Sequence, residues 1–135
     1  MMRSLKVLIL EDNPFQLMAL HQMLNAFRIF DVLTAESVES ARCSLASRGA
    51  IDLAICDVHL EGLAALELIH ELAVKNEAPA LIILGGGEAD VLNSAASAAR
   101  RAGLEVLGCL PKPVSVTGLG LLLDSYQQAC AQSAI

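Results

Sequence analysis

Residues 51–57 read IDLAICD, an apolar run that ends directly in Asp57. A short apolar run with little polar alternation is typical of a strand that is buried on both faces, as in a parallel sheet. We therefore predict a strand at 51–56. Asp57 then stands at the carboxyl end of that strand, where the chain turns away from the sheet.

Four similar apolar runs alternate with five amphipathic stretches along the rest of the chain. The other strands are predicted at 6–10, 31–35, 80–84 and 106–110. Helices are predicted after each strand, with Asn13, Ser37 and Ser115 as N-caps and glycines 49 and 103 as stops. This alternation predicts an α/β fold, a doubly wound parallel sheet with helices on both faces. Without a linker or an internal repeat, we expect one domain over 1–135.

The composition restricts the functional class. The chain has 135 residues, is 55% hydrophobic and carries a formal net charge of −6. Because contacts with phosphates dominate nucleic-acid affinity, this acidic balance argues against nucleic acid as a partner. No apolar run is long enough to cross a bilayer, which argues against a membrane protein. The four cysteines lack zinc or C-x-x-C spacing, so a reduced, cytoplasmic protein is expected.

Charged side chains follow three of the predicted strands at the point where each strand ends. Glu11 and Asp12 follow the first strand, Asp57 the third and Lys112 the fifth. Carboxyl ends of parallel strands meet at one edge, where ligands of such sheets bind. Clustered carboxylates repel unless a cation intervenes, and oxygen ligands favour Mg²⁺ over zinc. A lysine opposite them suits a phosphate, and an Asp carboxylate can attack phosphorus.

These residues carry a family resemblance. Glu11-Asp12, Asp57 and Lys112-Pro113, each after its own strand, resemble the CheY-like receiver domains of response regulators in bacterial two-component systems. The resemblance extends over about residues 5–131. It implies a (βα)5 flavodoxin-like sheet with strand order 2-1-3-4-5, and it makes the Lys112–Pro113 bond a candidate cis peptide.

The same resemblance assigns roles to individual residues. It implies that Asp57 is the phosphoacceptor and that Lys112 contacts the phosphoryl oxygens. Asp12 would bind the magnesium ion, with Glu11 assisting and Asp57 contributing. His59 would offer its backbone carbonyl to the metal, and not its ring.

The resemblance also implies partners. The phosphoryl group would come from a sensor histidine kinase or a phosphotransfer protein, and the domain would catalyse at most its own phosphorylation and dephosphorylation. Output to an unknown downstream protein, or a homodimer, would use the face formed by the last two strands and helices. The stretches LEDNPFQ (10–16) and GLEVLGCLPKP (103–113) are most similar to receivers ahead of EAL cyclic-di-GMP phosphodiesterase domains.

Two positions depart from the family pattern. Receivers usually carry Thr or Ser at the end of the fourth strand, where this chain has Gly85, or Leu84 if the alignment shifts by one. Cys109 stands where Tyr or Phe is usual. The glycines at 85–87 form either a permissive turn or a loop whose N–H groups meet phosphate. We hypothesise that the signal passes through ordering of residues 84–88.

Two other functions compete with a phosphorylated receiver. Because the hydroxyl and the aromatic ring are missing, the chain could be a pseudo-receiver, an interaction module that works without phosphate. A phosphatase similar to haloacid dehalogenases would also use an Asp nucleophile. That class carries a second Asp two residues after the first, where this chain has His59. The sequence therefore argues against a phosphatase of this class.

Overall fold

The computed structural model describes residues 5–59, 64–75, 79–86 and 89–133. The strands are β1 (Lys6–Leu10), β2 (Asp31–Ala35), β3 (Leu53–Asp57), β4 (Ala80–Gly85) and β5 (Val106–Pro111). They form a parallel sheet with the order β2-β1-β3-β4-β5. The helices are α1 (Pro14–Ala26), α2 (Val38–Arg48), α3 (Ala64–Val74), α4 (Ala89–Arg101) and α5 (Val116–Ser133). The predicted fold class and strand order are confirmed.

Two hydrophobic cores lie on opposite faces of the sheet. Successive side chains of a strand point to opposite faces, so β1 sends Leu8 and Leu10 into one core and Val7 and Ile9 into the other. The first core also contains side chains of α2, α3 and α4. The second contains side chains of α1 and α5. Burial on both faces explains why the strands read as continuous apolar runs.

The helix ends follow the predicted capping residues. The Asn13 side chain accepts hydrogen bonds from the backbone N–H groups at the start of α1, and Ser37 and Ser115 do the same for α2 and α5. Gly49, with φ of +83°, ends α2. Among the residues described, no helix combines the length and the apolar character that crossing a membrane requires.

The bounds of the third strand differ from the prediction. It begins at Leu53 and not at Ile51, because Leu53 is the first residue in register with both β1 and β4. It ends at Asp57, which pairs with Leu84. The acidic residue is therefore the last residue of the strand itself, and the sheet fixes its backbone. Strands β4 and β5 likewise extend one residue beyond the prediction.

Candidate functional site

The charged residues that follow the strands meet at the carboxyl edge of the sheet. Asp57 ends β3, Glu11 follows β1 and Lys112 follows β5. The Glu11 backbone N–H donates to the carbonyl of Ala35 at 3.0 Å, which holds the residue at the end of β1. The Lys112 N–H donates to the Gly85 carbonyl at 3.2 Å, which fixes the lysine beside the end of β4.

The Lys112 ammonium contacts two carboxylates. Its Nζ atom lies 2.5 Å from Oδ2 of Asp57 and 3.0 Å from Oε1 of Glu11. The Glu11 side chain is fully buried and that of Asp57 is 5% exposed, whereas the lysine side chain is 20% exposed. One cation therefore faces two buried anions, and the group of three retains a net negative charge.

The pKa values of the two acids shift in opposite directions. Burial raises the pKa of Glu11, and the hydrogen bond from Lys112 only partly offsets this. Burial also acts to raise the pKa of Asp57, but hydrogen bonds from Lys112 and from the backbone of His59 outweigh it and hold that pKa below its usual value. Of the two buried acids, Asp57 is therefore the one whose ionised form the site favours.

The structure places a third acid beside the other two. Glu11, Asp12 and Asp57 each offer a carboxylate oxygen within 4.8 Å of the other two, although Asp12 is exposed. Oε2 of Glu11 is buried and accepts no hydrogen bond from any described residue. A buried carboxylate oxygen without a partner is costly, and a cation would satisfy it. An all-oxygen donor set fits a hard ion such as Mg²⁺.

His59 is held next to Asp57 by its backbone. Its N–H donates to Oδ1 of Asp57 at 2.9 Å. The side chain is exposed, and the imidazole is not part of the acidic cluster found among the described residues. That the backbone carbonyl of His59 binds the metal stays a prediction. The Lys112–Pro113 peptide bond is cis in the structure.

The two unusual positions, Gly85 and Cys109, both lie against α4. A Cβ atom added to Gly85 would lie 2.6 Å from Cδ2 of Leu92 and 2.9 Å from Cγ1 of Val58. The Cys109 thiol donates to the Leu92 carbonyl at 3.6 Å. Leu92 carried no signal in the sequence beyond that of an apolar helix residue. Of the loop 84–88, positions 87 and 88 lie outside the described residues.

Comparison with known proteins identifies the family. The sequence profile of the response regulator receiver domain matches residues 7–123. The chain belongs to the receiver domain family. Cyclic di-GMP phosphodiesterase RocR of Pseudomonas aeruginosa is 30% identical over 125 residues, which cover 93% of this chain and 32% of RocR. Its name agrees with the predicted similarity to receivers of cyclic-di-GMP phosphodiesterases.

Other relatives agree with a receiver domain. Virulence sensor protein BvgS of Bordetella pertussis is 32% identical over 98% of this chain, which is 10% of BvgS. This receiver therefore spans about a third of RocR and a tenth of BvgS. A response regulator from Colwellia psychrerythraea superposes with a TM-score of 0.74 at 22% identity, covering 94% of this chain and 99% of that one. A receiver domain protein from Clostridium thermocellum gives 0.75 at 23% identity, over 95% and 98%.

Proposed function

We propose that this receiver accepts a phosphoryl group on Asp57 in a Mg²⁺-dependent reaction. The observation that carries the proposal is the contact of Lys112 with Asp57 inside the acidic cluster. Asp57 has a lowered pKa, is buried and is fixed at a strand end. An ammonium group already lies where the oxygens of an incoming phosphoryl group would need a positive charge.

Glu11, Asp12 and Asp57 are the residues that would hold the magnesium ion. The oxygen-only donors and the unpartnered Oε2 of Glu11 support this assignment. When bound, the ion neutralises charge on the phosphoryl oxygens during transfer. It would also reduce the repulsion between the carboxylates, which Lys112 alone offsets only in part.

The chain's own residues supply the rest of the reaction. A carboxylate oxygen of Asp57 forms a bond to phosphorus, while the bond from phosphorus to the donor breaks and its electron pair leaves with the donor. The N–H of His59 orients the Asp57 carboxylate through Oδ1. Lys112 then pairs with the phosphoryl oxygens, as a positioned cation does in phosphoryl transfer.

The phosphodonor that fits this chemistry is a sensor histidine kinase or a phosphotransfer protein, since a phosphohistidine carries a reactive phosphoryl group. We assign output to the β4-α4-β5-α5 face, because Gly85 and Cys109 connect the site to α4. The downstream protein would bind there. All four cysteines are free, which suits the reducing cytoplasm in which two-component phosphotransfer occurs.

Intact-mass measurement after incubation with acetyl phosphate tests the proposal. We expect one phosphoryl adduct that requires Mg²⁺ and is lost in base. Asp57→Asn should abolish it. Asp52→Asn is the matched control, because Asp52 directly precedes β3, at the end of the strand opposite to Asp57, and its substitution should leave the adduct unchanged.

The pseudo-receiver is the second candidate function, and the absence of a hydroxyl at Gly85 favours it. It predicts no adduct with acetyl phosphate or with phosphorylated histidine kinases, with or without Mg²⁺. That result would overturn the phosphoacceptor role of Asp57. An adduct that survives Asp57→Asn would contradict the assignment of the residue.

A further inference from the structure

A cavity lies at the amino-terminal edge of the sheet, next to the starts of β1 and β2. Its volume is about 410 Å³, and it is lined by Leu5, Arg28, Ile29, Phe30 and Asp31. Leu5 directly precedes β1, and residues 27–30 connect α1 to β2. The acidic cluster of Glu11 and Asp57 lies at the opposite, carboxyl edge of the sheet. The cavity is therefore separate from the acidic cluster.

Arg28 stands at a position that suits glycine better. Its φ is +63°, and among the described residues it is the only non-glycine residue with a positive φ. This left-handed conformation brings the Cβ atom close to the backbone, a cost that glycine avoids. The helix end is closed by the N–H of Ile29, which donates to the carbonyl of Leu24 at 2.9 Å. The arginine side chain is therefore not needed to close the helix.

Two side chains at the cavity make little use of the rest of the fold. Arg28 is exposed and takes part in none of the ion pairs found among the described residues. The Phe30 side chain is 70% exposed, although an aromatic ring gains much from burial. Ile29, which is buried, and Leu5, which is half-buried, supply an apolar wall. A guanidinium group and an aromatic ring thus lie beside one partly apolar cavity.

These groups define the chemistry of a ligand. A guanidinium group binds a carboxylate or a phosphate through two parallel hydrogen bonds. The ring of Phe30 favours a second aromatic ring, and the carboxylate of Asp31 suits an N–H group. Lys6 is the register partner of Asp31 on β1, so its charge offsets the repulsion between that carboxylate and an anion. The volume lies within the range of small-molecule sites, about 300–1,000 Å³.

We propose that this cavity binds an organic anion that carries a planar aromatic ring. The carboxylate or phosphate of the ligand pairs with Arg28, and its ring packs against Phe30 and Leu5. Aryl carboxylates and mononucleotides share this chemistry. Because the cavity and the acidic cluster lie at opposite edges of the sheet, the proposal does not depend on phosphorylation of Asp57.

The test uses one probe from each source, indole-3-acetate and adenosine monophosphate. Each is titrated into the full chain without Mg²⁺, and binding is followed by amide chemical shifts in NMR and by the melting temperature. We expect at least one probe to give saturable shifts at residues 28–32 and to raise the melting temperature, because a ligand that binds only the folded state stabilises it. The probe that binds identifies the source.

Fragments of each probe test whether both parts of the ligand are needed. Acetate and inorganic phosphate carry the anion without a ring, whereas tryptophol and adenosine carry the ring without the anion. We expect each fragment to bind at least about tenfold more weakly than the probe that contains it, because it loses either the paired charge or the stacked ring.

Arg28→Gly is the most informative variant. Glycine keeps the backbone conformation and removes the guanidinium, so we expect a higher melting temperature without ligand and about tenfold weaker binding of the probe. A purely structural role of the arginine would not weaken binding. Phe30→Ser removes the ring and should weaken binding to a similar extent. Arg101→Ala is the control, because it removes the same charge from the exposed end of α4 and should leave binding unchanged.

Three results would overturn the proposal. The first is that neither probe shifts residues 28–32, and the second is that Arg28→Gly and Phe30→Ser bind the probe as the unmodified protein does. The third is that a fragment binds as tightly as its probe, which would show that the ring or the anion is not recognised. A missing phosphoryl adduct at Asp57 would overturn the proposed function and leave this proposal standing.

Discussion

The Nζ atom of Lys112 lies 2.5 Å from Oδ2 of Asp57, although β4 separates the two strands that carry these residues. The lysine reaches Glu11 as well, so one ammonium group faces two buried carboxylates and offsets their charge only in part. A phosphoryl group would bring further negative charge to the same edge of the sheet, so its binding calls for a further cation.

Lys112→Ala should retain magnesium binding and should bind fluoroberyllate, a mimic of the phosphoryl group, more weakly. The three carboxylates remain, so Mg²⁺ should bind at least as tightly as before. Loss of a charged hydrogen bond costs about 1.5–3 kcal/mol, which weakens fluoroberyllate binding by roughly tenfold or more. Titration followed by ¹⁹F NMR measures this. Lys75→Ala is the control, because it removes the same charge from an exposed residue that directly follows α3. It should change neither magnesium binding nor fluoroberyllate binding. Normal fluoroberyllate binding by Lys112→Ala would show that Lys112 does not contact the phosphoryl group.

Glu11→Gln should stabilise the protein when Mg²⁺ is absent. The pKa of folded Glu11 is raised, so the folded state binds its proton more tightly than the unfolded state does, and stability falls as the pH rises above about 4.5. Glutamine removes this loss. We therefore expect Glu11→Gln to be more stable than the unmodified protein at pH 7, and we expect this gain to vanish near pH 4.

Chemical denaturation in the presence of a chelator, at pH 7 and near pH 4, measures the difference in the free energy of unfolding between Glu11→Gln and the unmodified protein. Adding Mg²⁺ should then stabilise Glu11→Gln less than the unmodified protein, because a ligand of the ion has lost its charge. Glu105→Gln is the control, since Glu105 is exposed and precedes β5 at the opposite edge of the sheet. A gain at pH 4 as large as that at pH 7 would contradict the assigned cause.

The four cysteines should react with iodoacetamide in a defined order. Cys43 and Cys130 are exposed and should be alkylated first. Burial raises the pKa of the Cys56 thiol to about 12, so it should stay unmodified until the protein unfolds. Cys109 is partly buried, with a raised pKa, and should lie between these extremes. Peptide mapping over time measures the order, and early labelling of Cys56 would contradict the described packing of β3.

Arg28→Gly should stabilise the end of α1. Arg28 follows the helix with φ of +63°, and the N–H of Ile29 donates to the carbonyl of Leu24, as in a Schellman motif. Glycine adopts this conformation without the steric cost of a Cβ atom. The greater conformational freedom of glycine in the unfolded chain offsets part of this gain in stability. We expect a gain of about 0.5–1 kcal/mol by thermal denaturation. Arg28→Ala keeps the Cβ atom and should give no gain.

The sequence predicted the fold because burial and turn chemistry act locally. Each strand is buried on both faces, so it reads as an apolar run, and Asn13 and Gly49 act through hydrogen bonds and dihedral angles of their own segments. The position of the site could be predicted as well. The carboxyl ends of all strands in a parallel sheet lie at the same edge, so residues that end or follow the strands, such as Glu11, Asp57 and Lys112, are expected to lie close together.

Contacts between side chains from different elements could not be predicted in this way. Two adjacent acids do not reveal that Glu11 is buried against Lys112 while Asp12 is exposed. The sequence also gave no reason to connect Gly85 with Leu92, because the distance between them depends on how α4 packs on the sheet. The bounds of β3 depended on register with its neighbours, and for that reason the predicted start at Ile51 was wrong.

Reduction of the acyl phosphate tests most directly whether Asp57 carries the phosphoryl group. Reduction of the acetyl-phosphate-treated protein with borohydride converts an aspartyl phosphate to homoserine, which tandem mass spectrometry locates in the sequence. We expect homoserine at position 57 alone, and only when Mg²⁺ was present during phosphorylation. Homoserine at Asp12, at Asp52 or at no position in the chain would contradict it.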